Sequence, residues 1–476
     1  MLHDRQIAEA FAAVETADAE RALAIADTLM AKDWDHHAAN FLMAQCAMKA
    51  KLPGLSAAMY RNVGRAEPTR PEPWNNLSKT AQSLQRYDDA AAHLAHAIAL
   101  DPECAESVYN LATVRLQQGR PEEALDLCAR ALDLDGRIAG LVREARALGN
   151  LALGNWRQGW ADYDAALDGD YRLRKTYHGD IEPWRGPRDL NTASRIDGNG
   201  TVLPLIVHTE QGIGDEVIFS SMLDDLAPLA DRLPMILDCD PRTAGLFKRS
   251  FPHMQVYGTR RDAQPRWLDE RRYAVSAIAS LGKFYRLSDE AFPGTPYLTA
   301  CPMRSYQWKA LLRSAGKRPI IGLAWNGGRP NTGRAHKSMA LADMAPLFAA
   351  FPDALFVSLE YQRAASEIEI VSRETNTDIM EAPWATLTGD YDDTAALVNA
   401  CDAVVSVMTS VAHLSAALGV PTHMLLPTQP QPIWRYYRRQ RHPVWYKSMA
   451  LHRQERAGDW AAPLAEAIGD LKQRFA

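Results

Sequence analysis

At 476 residues the chain has length for two or three domains, and its 47% hydrophobic and 23% charged content belongs to a globular protein rather than a disordered or fibrous one. A net charge of −5 gives no general attraction for nucleic acid, and no apolar run approaches the roughly 18 residues that a membrane span requires. The opening stretch MLHDRQIAEAFAAVETADAERALAIADTL is charged throughout with no signal-peptide core, and the six cysteines (Cys46, Cys104, Cys128, Cys239, Cys301, Cys401) form no C-x-x-C pair, which argues against a disulfide framework or a zinc site and fits a reducing cytoplasm.

Residues 1–168 read as helix after helix with a period of 34. Leu77 recurs as Leu111, Ala90 as Ala124, Ala97 as Ala131 and Pro68 as Pro102, and the register runs back through Met43 and Ser56. Trp74 and Leu77 open the first helix of the clearest repeat. Ala90, Leu94 and Ala97 share one face of its second helix, where the small Ala90 allows close approach. Gly119 and Pro121 mark a turn inside the next hairpin. This period and these small residues are those of tetratricopeptide repeats, helical hairpins that bury their apolar faces only by stacking. Such stacks leave a groove, so the expected partner of this region is a protein. Residues 139–168 drift from the repeat and read as a capping hairpin that closes the domain.

Composition changes in YHGDIEPWRGPRDLNTASRIDGNG, which is rich in loop residues, and 169–198 reads as a linker. Beyond it, strand-length apolar runs alternate with helices: VLPLIVH (202–208), PMILDCD (234–240), PIIGLAW (319–325), ALFVSLE (354–360), DAVVSV (402–407) and THMLLP (422–427). That alternation implies parallel sheets covered on both faces. The helical, then Gly/Pro-punctuated stretch 301–319 divides two such α/β domains, 199–315 and 316–476. The fold class is therefore α plus α/β, a helical solenoid followed by two doubly wound domains.

Ligands of open parallel sheets bind beyond the carboxyl ends of the strands. After VLPLIVH comes TEQGIGD, where Gly212 and Gly214 permit a tight turn and Asp215 stands at the helix start. That carboxylate can serve as an N-cap or as a general base, a role contributing roughly 10²–10⁴-fold. The loop is not G-x-G-x-x-G and no P-loop lysine follows, which disfavours dinucleotide and NTPase readings. After DAVVSV, Thr409 or Ser410 can cap a helix whose first turn carries His413, a place favourable to phosphate. After PIIGLAW, Asn326 precedes two glycines and a basic loop with Arg329, Arg334, His336 and Lys337; Lys337 is the best candidate for a diphosphate clamp, with a solvated loop as the alternative. Glu360 follows ALFVSL, where it can accept bonds from ribose hydroxyls. The segment PIWRYYRRQRHPVWYK carries Arg435, Arg438, Arg439, Arg441 and Lys447 among aromatic residues; it is either a solvated face or a wall for an anionic ligand.

HTEQGIGDEVIFSSML, GLAWNGG, VSLE and SVMTSVAHLSAALGVPTHMLLP, in that order, resemble the bacterial tetratricopeptide-repeat glycosyltransferases, whose catalytic part is similar to the heptosyltransferases of lipopolysaccharide synthesis. GNWRQGWADYD, EPWRG and the closing HPVWYKSMALHRQERAGDW resemble the same family, so the likeness covers nearly the whole chain. It implies a GT-B pair of Rossmann-like domains, acceptor side first and nucleotide-sugar side second, and inverting transfer without metal or resident cofactor. It implies Asp215 as general base, Gly212 and Gly214 shaping its loop, and Trp325, Asn326, Lys337, Glu360, Thr409, Ser410 and His413 around the nucleotide-sugar donor. Where the family usually has Asp before the Thr, this chain has Met408, removing one polar donor contact.

The resulting expectation is a cytoplasmic protein O-glycosyltransferase whose repeats hold the acceptor protein. Some two-part proteins of this kind glycosylate flagellin with a nonulosonic acid, and a basic C-terminal segment suits such an acidic, CMP-linked donor. Two other readings fit the same residues. One is a transferase acting on a surface saccharide or lipid-linked glycan; the other is a repeat scaffold without turnover, which Met408 motivates.

Overall fold

The computed structural model describes residues 9, 12–13, 19–31, 36–167, 175, 177, 181–187, 203–262, 264–269, 272–328, 334–362, 364–428 and 434–476. The chain divides into two compact units after Leu153.

The first unit is a run of helical hairpins. Its second helices begin 34 residues apart, at Pro53, Tyr87 and Pro121 (Pro53–Ala66, Tyr87–Leu100, Pro121–Leu134). Ser56, Ala90 and Ala124 recur on them with no exposed surface, as the repeat requires, and Ala97 and Ala131 are likewise enclosed. At these points a larger side chain would push the helices apart. First helices Glu72–Ser83 and Ala105–Gln117 carry Leu77 and Leu111 into the core, and Asn110 donates to Asn75 across them at 2.9 Å.

The second unit holds two wholly parallel sheets. In the first, β1 (Ile181–Pro183), β2 (Leu205–His208), β3 (Met235–Asp238), β4 (Gln255–Tyr257) and β5 (Tyr273–Ala277) lie in the order β1-β5-β2-β3-β4. In the second, β6 (Ile320–Ala324), β7 (Leu355–Ser358), β8 (Ile379–Met380), β9 (Ala403–Val407), β10 (Thr422–Leu426) and β11 (Met449–Arg453) lie in the order β11-β10-β9-β6-β7-β8. Counted from its first strand, the second sheet is ordered 3-2-1-4-5-6, and β2 to β5 of the first follow its opening 3-2-1-4. All six apolar runs read from the sequence are strands. They are buried along their whole length, because helices cover both faces and leave no polar alternation.

Two expectations change. The repeat domain was to end at 168 with a capping hairpin, yet the helix Trp156–Ala165 belongs to the α/β unit. Its aromatic face decides this. Trp160 is buried on Gly282, where an added Cβ would lie 2.4 Å from the indole, and its Nε1 donates to the Arg286 carbonyl at 2.8 Å. Trp156 Nε1 donates to Asp289 at 2.8 Å. The stretch read as a linker also contains β1, whose Ile181 pairs with Tyr273 at the edge of the first sheet. Three residues with a proline give too short a local pattern to announce a strand. Among the described residues, no helix is long and apolar enough to cross a membrane.

Candidate functional site

In each sheet the chain runs outward from one strand and then returns to its other side: between β2 and β5 in the first sheet, between β6 and β9 in the second. The carboxyl ends at such a switch are where doubly wound sheets leave a crevice. The loops after β2, β6 and β9 are those that carry the candidate residues.

The loop after β2 enters the helix Ile213–Ser220 with Gly212 as its N-cap, so Asp215 lies inside the first turn rather than capping it. Its neighbour Glu216 anchors the turn. Glu216 is fully buried and accepts from Thr209 Oγ1 (2.5 Å), Thr243 Oγ1 (2.9 Å), Arg260 Nη1 (2.6 Å) and the Asp240 amide (3.2 Å). Burial pushes its carboxyl up to about 7, against the opposing pull of Arg260 and the two hydroxyls. Arg260 also donates to the Gln211 carbonyl, and Gln211 Nε2 donates to Tyr163 at 2.7 Å. The glycine turn is thus held from β3, from Arg260 and from the helix Trp156–Ala165, while Asp215 keeps 29% of its side chain exposed.

The loop after β9 opens the helix Ser410–Ala417 with Thr409 as N-cap, its hydroxyl accepting from the Ala412 amide at 3.3 Å. The first turns of these two helices, one from each sheet, meet. A Cβ added at Gly214 would lie 3.6 Å from His413 Cδ2, Ser410 Cα and Ser410 Cβ, an ordinary van der Waals separation that places the two helix starts side by side.

Arg435 completes the contact. Its Nη2 donates to Asp215 Oδ1 at 2.7 Å, and its guanidinium lies 4.9 Å from the ring centres of both Phe219 and Trp434. With 4% of its side chain exposed, it is no member of a solvated face. Trp434 and Trp445 are buried in a cluster with Trp156, Trp160, Phe219 and Phe292, and Tyr436 and Tyr446 are buried against His413. The rest of the basic run divides: Arg438 pairs with Asp289 at 2.6 Å, Arg441 with Asp470, and Arg439 and Lys447 are exposed. His413 is stacked on Tyr436 and shares a hydrogen bond with its hydroxyl at 2.9 Å. Burial, and then Arg435, lower its imidazole to about 3. It is neutral at physiological pH and fixes the Tyr436 ring; the positive charge at this junction is Arg435.

A second group gathers at the ends of β6 and β7. Glu360 is buried, and its Oε1 accepts the amides of Trp325 (2.7 Å) and Asn326 (2.8 Å), tying the two strand ends together. Its Oε2 is buried with no hydrogen-bond partner among the described residues. Burial raises this carboxyl to about 7, the two amides opposing. Trp325 is enclosed and donates from Nε1 to Glu367 at 2.9 Å, so its indole serves the core. Asn326 Oδ1 accepts from Arg334 at 2.9 Å. Lys337 is half-buried in the short helix Arg334–Lys337, and burial lowers its ammonium. Its backbone lies so close to Gly327 that an added Cβ would fall 2.6 Å from the Lys337 carbonyl oxygen. Arg329 lies outside the described residues.

The sequence-derived residues therefore form two groups: Gly212, Gly214, Asp215, Thr409, Ser410 and His413 where the helix starts meet, and Trp325, Asn326, Lys337 and Glu360 at the ends of β6 and β7. Sequence reasoning missed the pairing of Arg435 with Asp215 and the anchoring by Glu216 and Arg260. The aromatic flanks in WRYY were the available signal that Arg435 is buried.

Residues 75–137 match the tetratricopeptide repeat family. Protein FlbA of Caulobacter vibrioides is 27% identical over 510 residues, spanning 97% of this chain and 83% of that protein. Small glutamine-rich tetratricopeptide repeat-containing protein 2 of Saccharomyces cerevisiae is 31% identical over 90 residues, covering 19% of this chain and 26% of its own length. Among solved structures, Pseudomonas aeruginosa pilF (21% identity; 36% of this chain, 78% of that one; TM-score 0.33) and YrrB, a TPR protein with an unusual peptide-binding site (18%; 34% and 84%; 0.30), are similar to part of the chain. The N-terminal unit therefore carries tetratricopeptide repeats, followed in the same chain by a parallel-sheet α/β unit.

Proposed function

We propose that this protein is a GT-B glycosyltransferase that moves a sugar from a nucleotide-activated donor to a Ser or Thr hydroxyl of a protein acceptor bound by the repeats. One observation carries the reading: the helix starts that follow strands of two separate parallel sheets, one opened by Gly212 and one capped by Thr409, meet at Gly214, Ser410 and His413, with Asp215 partly exposed beside a buried arginine. Both helix starts lie at topological switch points, and the second sheet has the Rossmann strand order. In this reading Asp215 takes the acceptor hydroxyl proton at Oδ2, since Oδ1 is held by Arg435. The hydroxyl oxygen bonds to the anomeric carbon as the bond to the donor phosphate breaks. Lys337, Arg435 and the amides at the start of the helix Ser410–Ala417 stabilise the departing phosphate. Glu360 is the residue that the family resemblance sets near the donor's nucleoside. Flagellin and a CMP-linked nonulosonic acid are the candidate acceptor and donor that the family resemblance supplies, and a reducing cytoplasm is the expected setting.

The test is mass spectrometry of proteins from cells carrying the native chain, Asp215→Asn, or no copy. A glycan mass present only with the native chain supports transfer. No difference among the three overturns it. A second reading, a scaffold that binds without turnover, draws on Met408 and on the engagement of Asp215 by Arg435; it is favoured if calorimetry finds partner binding and no nucleotide sugar binds.

A further inference from the structure

We propose that His423, His452 and Asp470 form a zinc site that fastens the C-terminal helix to the outer strands of the second sheet. The cysteine pattern argued against zinc, and the family resemblance implied no metal; neither bears on a cluster of imidazoles and a carboxylate.

The fold brings the three residues together from distant parts of the sequence. His423 lies on β10 opposite Ala450, and His452 lies on β11 opposite Leu425, so the two are diagonal neighbours on adjacent parallel strands. Asp470 comes from the helix Ala461–Phe475, whose Leu464, Ala467, Ile468 and Leu471 pack into the core of the same sheet. Both histidines are buried, at 6% and 1% exposure.

The distances fit one ion. His423 Nδ1 and His452 Nε2 are 3.1 Å apart, and each is 3.7 Å from Asp470 Oδ2. The centre of that triangle lies about 2.0 Å from every corner, the length of a zinc–nitrogen or zinc–oxygen bond. With bonds of about 2.1 Å the ligand pairs subtend about 95° and 124°, which suits a four-coordinate ion with one open position for water. An octahedral ion with the same three ligands on one face needs all three separations near about 3.0 Å, and two of them are too wide.

The surroundings also fit. Glu466, one turn before Asp470, lies 3.3 Å from His452 Nδ1. A carboxylate on the far nitrogen fixes the tautomer that leaves Nε2 free to bind metal, the usual support of a zinc-bound histidine. Asp470 turns Oδ1 to Arg441 and Oδ2 to the imidazoles. Arg441 and Arg474 place positive charge nearby, which weakens cation binding relative to a site without them. Without an ion the same pair of rings can share only one proton across 3.1 Å.

The untagged full-length chain, stripped with chelator, should take up one equivalent of Co²⁺ with the visible absorption of a four-coordinate site, and Zn²⁺ should displace it. Glu466→Gln, a substitution at an exposed residue, should weaken Zn²⁺ about 10–100-fold. His452→Ala or Asp470→Asn should abolish the Co²⁺ absorption. Zn²⁺ should raise the thermal transition of the native chain and not that of His423→Gln. A native chain that gives no Co²⁺ spectrum overturns the proposal whatever the variants do, as does a spectrum that persists unchanged in both His452→Ala and Asp470→Asn.

Discussion

Asp215→Asn is nearly isosteric and removes one negative charge facing a guanidinium that is 4% exposed. Removing one partner of a fully buried ion pair costs about 3–5 kcal/mol. Asp215 retains 29% exposure, so water can replace part of what is lost, and the asparagine oxygen can still accept from Arg435 Nη2. The expected loss of stability is therefore about 1–3 kcal/mol, the range for a buried charged donor whose partner is weakened. Arg435 Nε is already buried without a hydrogen-bond partner among the described residues, and the remaining support comes from the Phe219 and Trp434 rings. Urea unfolding followed by tryptophan fluorescence reads this unit, because every tryptophan except Trp34 and Trp74 lies after residue 153. Arg435→Met and the double variant complete a cycle with an expected coupling of about 1–2 kcal/mol. If the two single effects add to within about 0.5 kcal/mol, the pair is not an energetic unit and the account of the junction is wrong. In parallel, sugar transfer by Asp215→Asn should fall about 10²–10⁴-fold; unchanged transfer removes Asp215 from the role of base while leaving the stability result intact.

The His413 imidazole is held at about 3 in the folded chain, below its ordinary value, so its contribution to stability is complete above about 6.5 and is lost as pH falls from there towards 3. His413→Gln should remove that part of the acid sensitivity, measured as urea midpoints at pH 5 and pH 7.5; an unchanged difference between the two midpoints refutes it. For Glu360 the sign reverses. Its carboxyl is raised to about 7, so folding favours the protonated form and stability falls as pH rises from about 4.5 to 7. Glu360→Gln, whose amide oxygen can still accept from Trp325 and Asn326, should therefore gain stability relative to the native chain between pH 5 and pH 8; a constant difference across that interval contradicts the burial argument. In the repeats, Ala90→Leu adds three carbons where no surface is exposed and should cost about 1–3 kcal/mol, read as a lowered helical melting transition by circular dichroism. No change would mean the hairpins are not packed as tightly there as described.

The sequence by itself determined the repeat and the strands. A period of 34 with small residues at Ser56, Ala90 and Ala124 is a local, recurring pattern, and close helix packing leaves few residue types able to satisfy it. The six apolar runs reveal themselves because a strand covered on both faces must be apolar throughout. Motif order likewise placed Asp215 and His413 at helix starts, since glycine turns and hydroxyl caps are read over a few residues. Only the tertiary structure decided what those groups face. Arg435 reaches Asp215 across 220 residues of chain, the helix Trp156–Ala165 joins the α/β unit through partners near residue 285, and β1 exists because β5 offers an edge. His413 looked like a phosphate ligand by position, yet burial makes it neutral. His423, His452 and Asp470 carry no spacing signal, because two adjacent parallel strands and a returning helix bring them together. Local pattern fixes which backbone forms; the charge state and partner of a side chain depend on what folding places around it, which is set by contacts far apart in sequence.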